Sequence, residues 1–117
     1  MSTAQQPHIV TIIADDYGWG NVGYHRDQPD REVATPNIDK LVSDGLELTR
    51  HYAYRFCSPS RSAFQSGRLP VHVNTRNVEP TVYNPKDKVG GYAGIPRNMT
   101  CIAQKVKGVG YLSLIHI

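Results

Sequence analysis

The stretch HIVTIIADD, residues 8–16, constrains the fold most strongly. Ile9 to Ile13 form a short, β-branched apolar run without regular polar alternation. Such a run, bounded by polar residues, suits a strand buried on both faces, as in a parallel sheet. It closes on adjacent carboxylates, Asp15 and Asp16, and Gly18, Gly20 and Gly23 then predict a loop. In TPNIDKLVSDG, Thr35 is suited to cap a helix with Pro36 at its first position, Ile38, Leu41 and Val42 share one face, and Gly45 is the stop. LELTRHYAY alternates Leu46, Leu48, Arg50, Tyr52 and Tyr54 on one side, predicting a second, half-buried strand.

A second helix is expected after Cys57, with Ser58 as cap, Pro59 in the first turn and Gly67 as the end. Leu69 to Arg97, rich in proline and glycine, reads as one long loop, with Tyr83 to Tyr92 available as a substrate wall. A last helix is expected from Asn98 or Thr100 to Lys107, stopped by Gly108. Alternating strands and helices predict an α/β fold with a mostly parallel or mixed sheet flanked by helices. Two strands and three short helices are few for such a sheet, so the chain reads as the N-terminal part of a larger domain.

The bulk properties exclude several classes. Net charge is +3, with the positive residues scattered, which argues against a nucleic-acid partner. No apolar run approaches the roughly 20 residues that span a bilayer. The first residues, MSTAQQPHIV, lack the basic start and apolar segment of a secretory signal, so the chain is either cytosolic or lacks its true N-terminus. Two cysteines, Cys57 and Cys101, make no disulfide framework and suit either redox compartment.

Two places carry chemistry. Asp15 and Asp16 repel one another at a strand end unless protons or a cation compensate, and calcium or magnesium is the natural hard partner. The competing reading is a strand-end turn in which one aspartate caps the next segment. Cys57 is flanked by Ser58, Pro59, Ser60 and Arg61, which argues against a core thiol. A helix starting there directs its positive end at the residue, and Arg61 lies one turn on. Both features lower a thiol pKa and hold an anion. His51 is the nearest histidine for a thiol nucleophile that needs a base, on period-two counting alone.

The segments PHIVTIIADDYGWGNVGYH, TPNIDKLVSDGLELTRHYA, CSPSRSAFQSGRLP and IPRNMTCIAQKVKGVGY, in this order and spacing, resemble the N-terminal part of type I sulfatases. These are the arylsulfatase group of the alkaline-phosphatase-like superfamily. The resemblance covers most of residues 7–111, leaving residues 1–6 as an N-terminal tail. It implies an alkaline-phosphatase-like α/β sandwich and a sulfuric ester hydrolase acting on aryl or carbohydrate sulfates. It implies that a formylglycine-generating enzyme reads Cys57, Pro59 and Arg61 and oxidises Cys57 to formylglycine. The hydrated aldehyde offers one hydroxyl to attack sulfur and a second to expel sulfate, a release step that a plain thiolate lacks. Asp15 and Asp16 resemble the family's calcium ligands, the matured Cys57 touches the same ion, and Arg61 resembles the arginine holding the formylglycine hydroxyl. Ser58 and Ser60 are expected to support the turn, and Trp19 to pack within its loop. The family also implies a secretory, lysosomal or periplasmic location.

Departures are visible. The family's later Asp–Asn metal pair, Gly-Lys-Trp-His-type segment and second lysine do not occur here. Leu112–Ile117, LSLIHI, fits no family pattern and matches one translation of a transposase-adapter end, so residues 112–117 read as a non-native read-through tail. These 117 residues taken alone are therefore expected to be catalytically incomplete. A phosphonate or phosphate ester hydrolase of the same superfamily would share the N-terminal motif. Asn98-Met99-Thr100 forms an N-glycosylation sequon, although Asn98 doubles as a helix-cap candidate.

Overall fold

Prolines and glycines set several of the helix boundaries. The structure, a computed structural model, describes residues 6–27, 32–76, 83–91 and 94–114. The chain divides into two units, Met1–Arg50 and His51–Ile117.

In the first unit, α1 spans Pro36–Ser43 with Thr35 as N-cap and Pro36 in its first turn, as expected. It stops at Asp44, and Gly45 N–H donates to the Val42 carbonyl (3.1 Å). Thr35 does not cap its own helix with its hydroxyl. That hydroxyl donates to Asp39 Oδ1 (2.7 Å) and accepts the Gly23 N–H (2.7 Å), tying the glycine-rich segment to α1. The segment itself is not plain loop. It winds into two short 3-10 turns, Trp19–Asn21 and Gly23–His25, with Val22 buried between them.

Neither expected strand forms among the described residues. Ile9, Val10, Ile12 and Ile13 are exposed and without regular structure, Ile12 at 84%. Leu46 and Tyr52 of the second expected strand are exposed at 85% and 82%. The physical reason is that a strand is completed by the backbone of a neighbour, and no described segment pairs with either run. The apolar pattern is present, but the ladder that would use it is not.

In the second unit, α2 spans Cys57–Ser66, α3 Pro70–Val73 and α4 Ile102–Lys107. Gly67 ends α2 in the left-handed conformation (φ 64°), its N–H donating to the Ala63 carbonyl. α2 packs against both α3 and α4. Arg68 Nη1 bridges the Ser66 and Thr100 carbonyls (2.9 and 3.0 Å), joining the end of α2 to the segment before α4.

The span expected as one long loop contains α3, whose Leu69–Pro70 start is the same proline-first signal that marks α1. Residues 83–91 fold back tightly, with Asn84 N–H donating to Gly91 O, and Asp87 Oδ1 accepting from the Val89 and Gly90 N–H groups. Tyr92, at the end of the expected substrate wall, lies outside the described residues, as do residues 1–5 and 115–117 of the two expected tails. α4 begins later than expected. Cys101 is its N-cap, through a capping box in which Gln104 Oε1 accepts the Cys101 N–H (2.8 Å). Asn98 and Thr100 stay outside the helix, whose start is marked by the Cys101–Gln104 bond.

Candidate active site

In an extended strand, successive side chains point to opposite faces. Asp15 and Asp16 escape that rule because Asp16 adopts φ 50°. It has the only left-handed backbone of a non-glycine residue among those described, and aspartate tolerates that region better than most residues. A carboxylate oxygen of Asp15 lies within 4.8 Å of one on Asp16, and both residues are exposed. Two hard oxygen donors converging this way fit a divalent cation of the calcium or magnesium type.

The loop after the aspartates is braced by His25. Its ring stacks on Trp19 (centroids 3.5 Å apart, planes 11° apart), so Trp19 packs within its loop as expected. His25 Nδ1 lies 2.8 Å from the Trp19 carbonyl and Nε2 2.8 Å from Glu47 Oε1. Both partners are acceptors, so both nitrogens donate only when the ring is an imidazolium. Desolvation pulls the His25 pKa down. The hydrogen bond to Glu47, the one to the Trp19 carbonyl and the charge of Glu47 together outweigh it and hold the pKa above its ordinary value.

In the second unit, the reacting-residue candidate sits differently from expectation. Phe56, not Ser58, is the N-cap of α2, and Cys57 is the first helical residue. Ser58 and Pro59 therefore lie inside the first turn, where proline's missing N–H costs no hydrogen bond. Pro59 is fully buried, Cys57 half-buried and Arg61 exposed one turn further on. Cys57 is not disulfide-linked, and neither is Cys101.

Ser60 supports the turn as expected. Its hydroxyl lies 2.7 Å from the Phe56 carbonyl and 2.8 Å from the Tyr54 carbonyl, sharing one proton between them. His51 lies in exposed, irregular chain, so the strand counting that aligned it with Cys57 has no basis. One buried residue, Asn74, was missed by sequence reasoning. It caps the C-terminus of α3 and bonds back to α2. Its only sequence signal is an asparagine just after a short proline-started segment.

The family model described as Sulfatase matches residues 7–116. The chain belongs to the sulfatase family.

Among individual sulfatases, it is 36% identical over 108 residues to arylsulfatase J of Mus musculus, covering 91% of this chain and 16% of that protein. It is 37% identical over 115 residues to N-acetylgalactosamine-6-sulfatase of Sus scrofa, covering 95% of this chain and 21% of the relative. Arylsulfatase H of Homo sapiens is 37% identical over 115 residues, with coverage of 95% and 19%. The chain thus spans about a fifth or less of the length of these curated relatives. No solved structure matches. Among the described residues, no helix is long and apolar enough to cross a membrane.

Proposed function

We propose that the complete protein is a sulfuric ester hydrolase of the formylglycine-dependent type, built on an alkaline-phosphatase-like α/β sandwich. The observation that carries this reading is the Cys57-Ser58-Pro59-Ser60-Arg61 motif, seated on the first turn of α2 within the family-matched region. Matured to formylglycine, position 57 supplies a hydrated aldehyde whose two hydroxyls serve sulfuryl transfer and sulfate release. A bound calcium supplies Lewis acidity and neutralises the charge of the sulfate oxygens.

The chain's own residues hold these groups. Asp15 and Asp16 offer the cation its carboxylates, and calcium fits such exposed, adjustable donors better than magnesium's stricter octahedron. The first turn of α2 presents its positive end to an anion at position 57. Arg61, one turn on, is a hydrogen-bond donor to the same hydroxyl and adds positive charge. Pro59 is fully buried in the folded helix. A formylglycine-generating enzyme that reads Cys57, Pro59 and Arg61 therefore acts before α2 packs.

Coexpressing the complete protein with that enzyme and weighing the Cys57 peptide tests this reading. Loss of H₂S and gain of one oxygen lowers its mass by about 18 Da. Matured protein hydrolyses 4-nitrophenyl sulfate, and Cys57→Ala does not. An unchanged thiol, or full turnover by Cys57→Ala, refutes the reading.

Asn98 is proposed as an N-glycan acceptor. It is exposed, it lies in a turn where Met99 N–H donates to the Pro96 carbonyl (2.9 Å), and Cys101 has taken the capping role that competed for it. Secretory expression should give a glycosidase-sensitive mass shift that Asn98→Gln removes. A parent without the shift rejects the site.

A further inference from the structure

We infer that Asn74 is a positioning residue that locks the first turn of α2, and with it the backbone of Cys57 and Arg61. The inference rests on the reading of Cys57 as the reacting position. Asn74 lies sixteen residues from Ser58 in sequence, yet its amide nitrogen donates to Ser58 Oγ at 2.8 Å. The same nitrogen lies 3.4 Å from Ser62 Oγ. Asn74 Oδ1 accepts the Arg76 N–H (3.0 Å), which fixes the amide's orientation, because a backbone N–H can only donate. The Asn74 N–H donates to the Pro70 carbonyl (2.8 Å), anchoring the residue to α3.

The placement is specific. Ser58 adjoins Cys57, Ser62 adjoins Arg61, and the two serines are one helical turn apart on one face. One amide therefore grips α2 beside both residues assigned to the sulfate group. Ser62 and Asn74 are also the buried polar residues of the described chain, at 7% and 9% exposure. Buried polar groups add little net stability over an apolar set of the same shape. What a fully bonded set provides is one geometry, since any displacement strands a buried donor or acceptor. A helix start that must hold a reacting side chain to a fraction of an ångström has use for that geometry.

The test uses the complete protein with Asn74→Leu, which keeps the approximate size, removes the amide donors and carries the changes expected below. Asn74→Asp serves as the conservative variant: its carboxylate can accept from the Ser58 and Ser62 hydroxyls and from the Arg76 N–H, and it should retain most of the exchange protection and kcat. Hydrogen exchange is read at two amides of α2: Ser60, whose N–H closes the first turn on Phe56 O (3.1 Å), and Gly67, which closes the last on Ala63 O (2.9 Å). Ser60 exchange should rise about tenfold or more while Gly67 is unchanged. In the matured enzyme, kcat on 4-nitrophenyl sulfate should fall about 10- to 100-fold with KM within about twofold.

Equal acceleration at both amides, or no acceleration at Ser60, overturns the inference, as does an unchanged kcat. The Cys57→Ala control separates the two failures. If it stays active, the reading of Cys57 fails. If it is inactive while Asn74→Leu keeps full kcat, the positioning role fails alone.

Discussion

His25 Nε2 stands 2.8 Å from Glu47 Oε1, across twenty-two residues of sequence, while its other ring nitrogen meets the Trp19 carbonyl. The bridge ties the loop after Asp15 and Asp16 to the segment following α1. Because the folded pKa is raised, the bridge's stabilisation is complete below the unfolded value of about 6.5. It is lost as pH rises through the folded value. NMR titration of His25 should show a pKa above that of an unstructured histidine. Glu47→Gln should bring it back down and flatten the loss of stability on the alkaline side.

Thr35 joins two segments with one hydroxyl, accepting from Gly23 N–H and donating to Asp39, each at 2.7 Å. Thr35→Val keeps the shape and removes both bonds. It should cost about 1 to 2 kcal/mol, because a partly buried N–H and a carboxylate oxygen lose their partner. Denaturant melts would measure this, and Thr35→Ser should retain most of the stability.

Gly67 ends α2 at φ 64°, and a methyl group placed there meets nothing within 4 Å. The cost of Gly67→Ala is therefore backbone conformation alone, about 1 kcal/mol. Gly67→Asn should cost less, since asparagine enters the left-handed region more readily. Thermal melts of the two variants should rank in that order.

Asp16 combines a left-handed backbone with a proposed role in holding calcium, and two substitutions separate these roles. Asp16→Asn keeps the conformational preference and removes the charge. It should leave the melting temperature nearly unchanged while weakening calcium binding about tenfold or more, equivalent to about 1.4 kcal/mol or more. Asp16→Val should lower stability as well, by about 1 to 2 kcal/mol. Calorimetric titration with calcium, and turnover after chelation and calcium return, would check both.

Much of the local structure was legible because its causes lie within a few residues of one another. Thr35 and Pro36 open α1, Gly67 closes α2 and Gly108 follows α4, since caps and stops are decided by adjacent dihedrals and orphan backbone groups. The Cys57–Arg61 motif and the Asp15–Asp16 pair were readable for the same reason. So was the family, whose model matches nearly the whole chain. Even locally, the cap of α2 lies two residues earlier than expected, at Phe56, which makes Ser58 part of the first turn.

Three features had to wait for the tertiary structure. The strands foreseen at Ile9–Ile13 and Leu46–Tyr54 lack pairing partners among the described residues, because a ladder belongs to two segments and an apolar pattern to one. The convergence of Asp15 and Asp16 depends on a left-handed turn that their identity permits but does not impose. Asn74's hold on Ser58, across sixteen residues, exists only once α3 packs on α2. The chain's composition determined which groups are available at the site. Long-range hydrogen bonds, absent from any local window of sequence, decided how those groups are held.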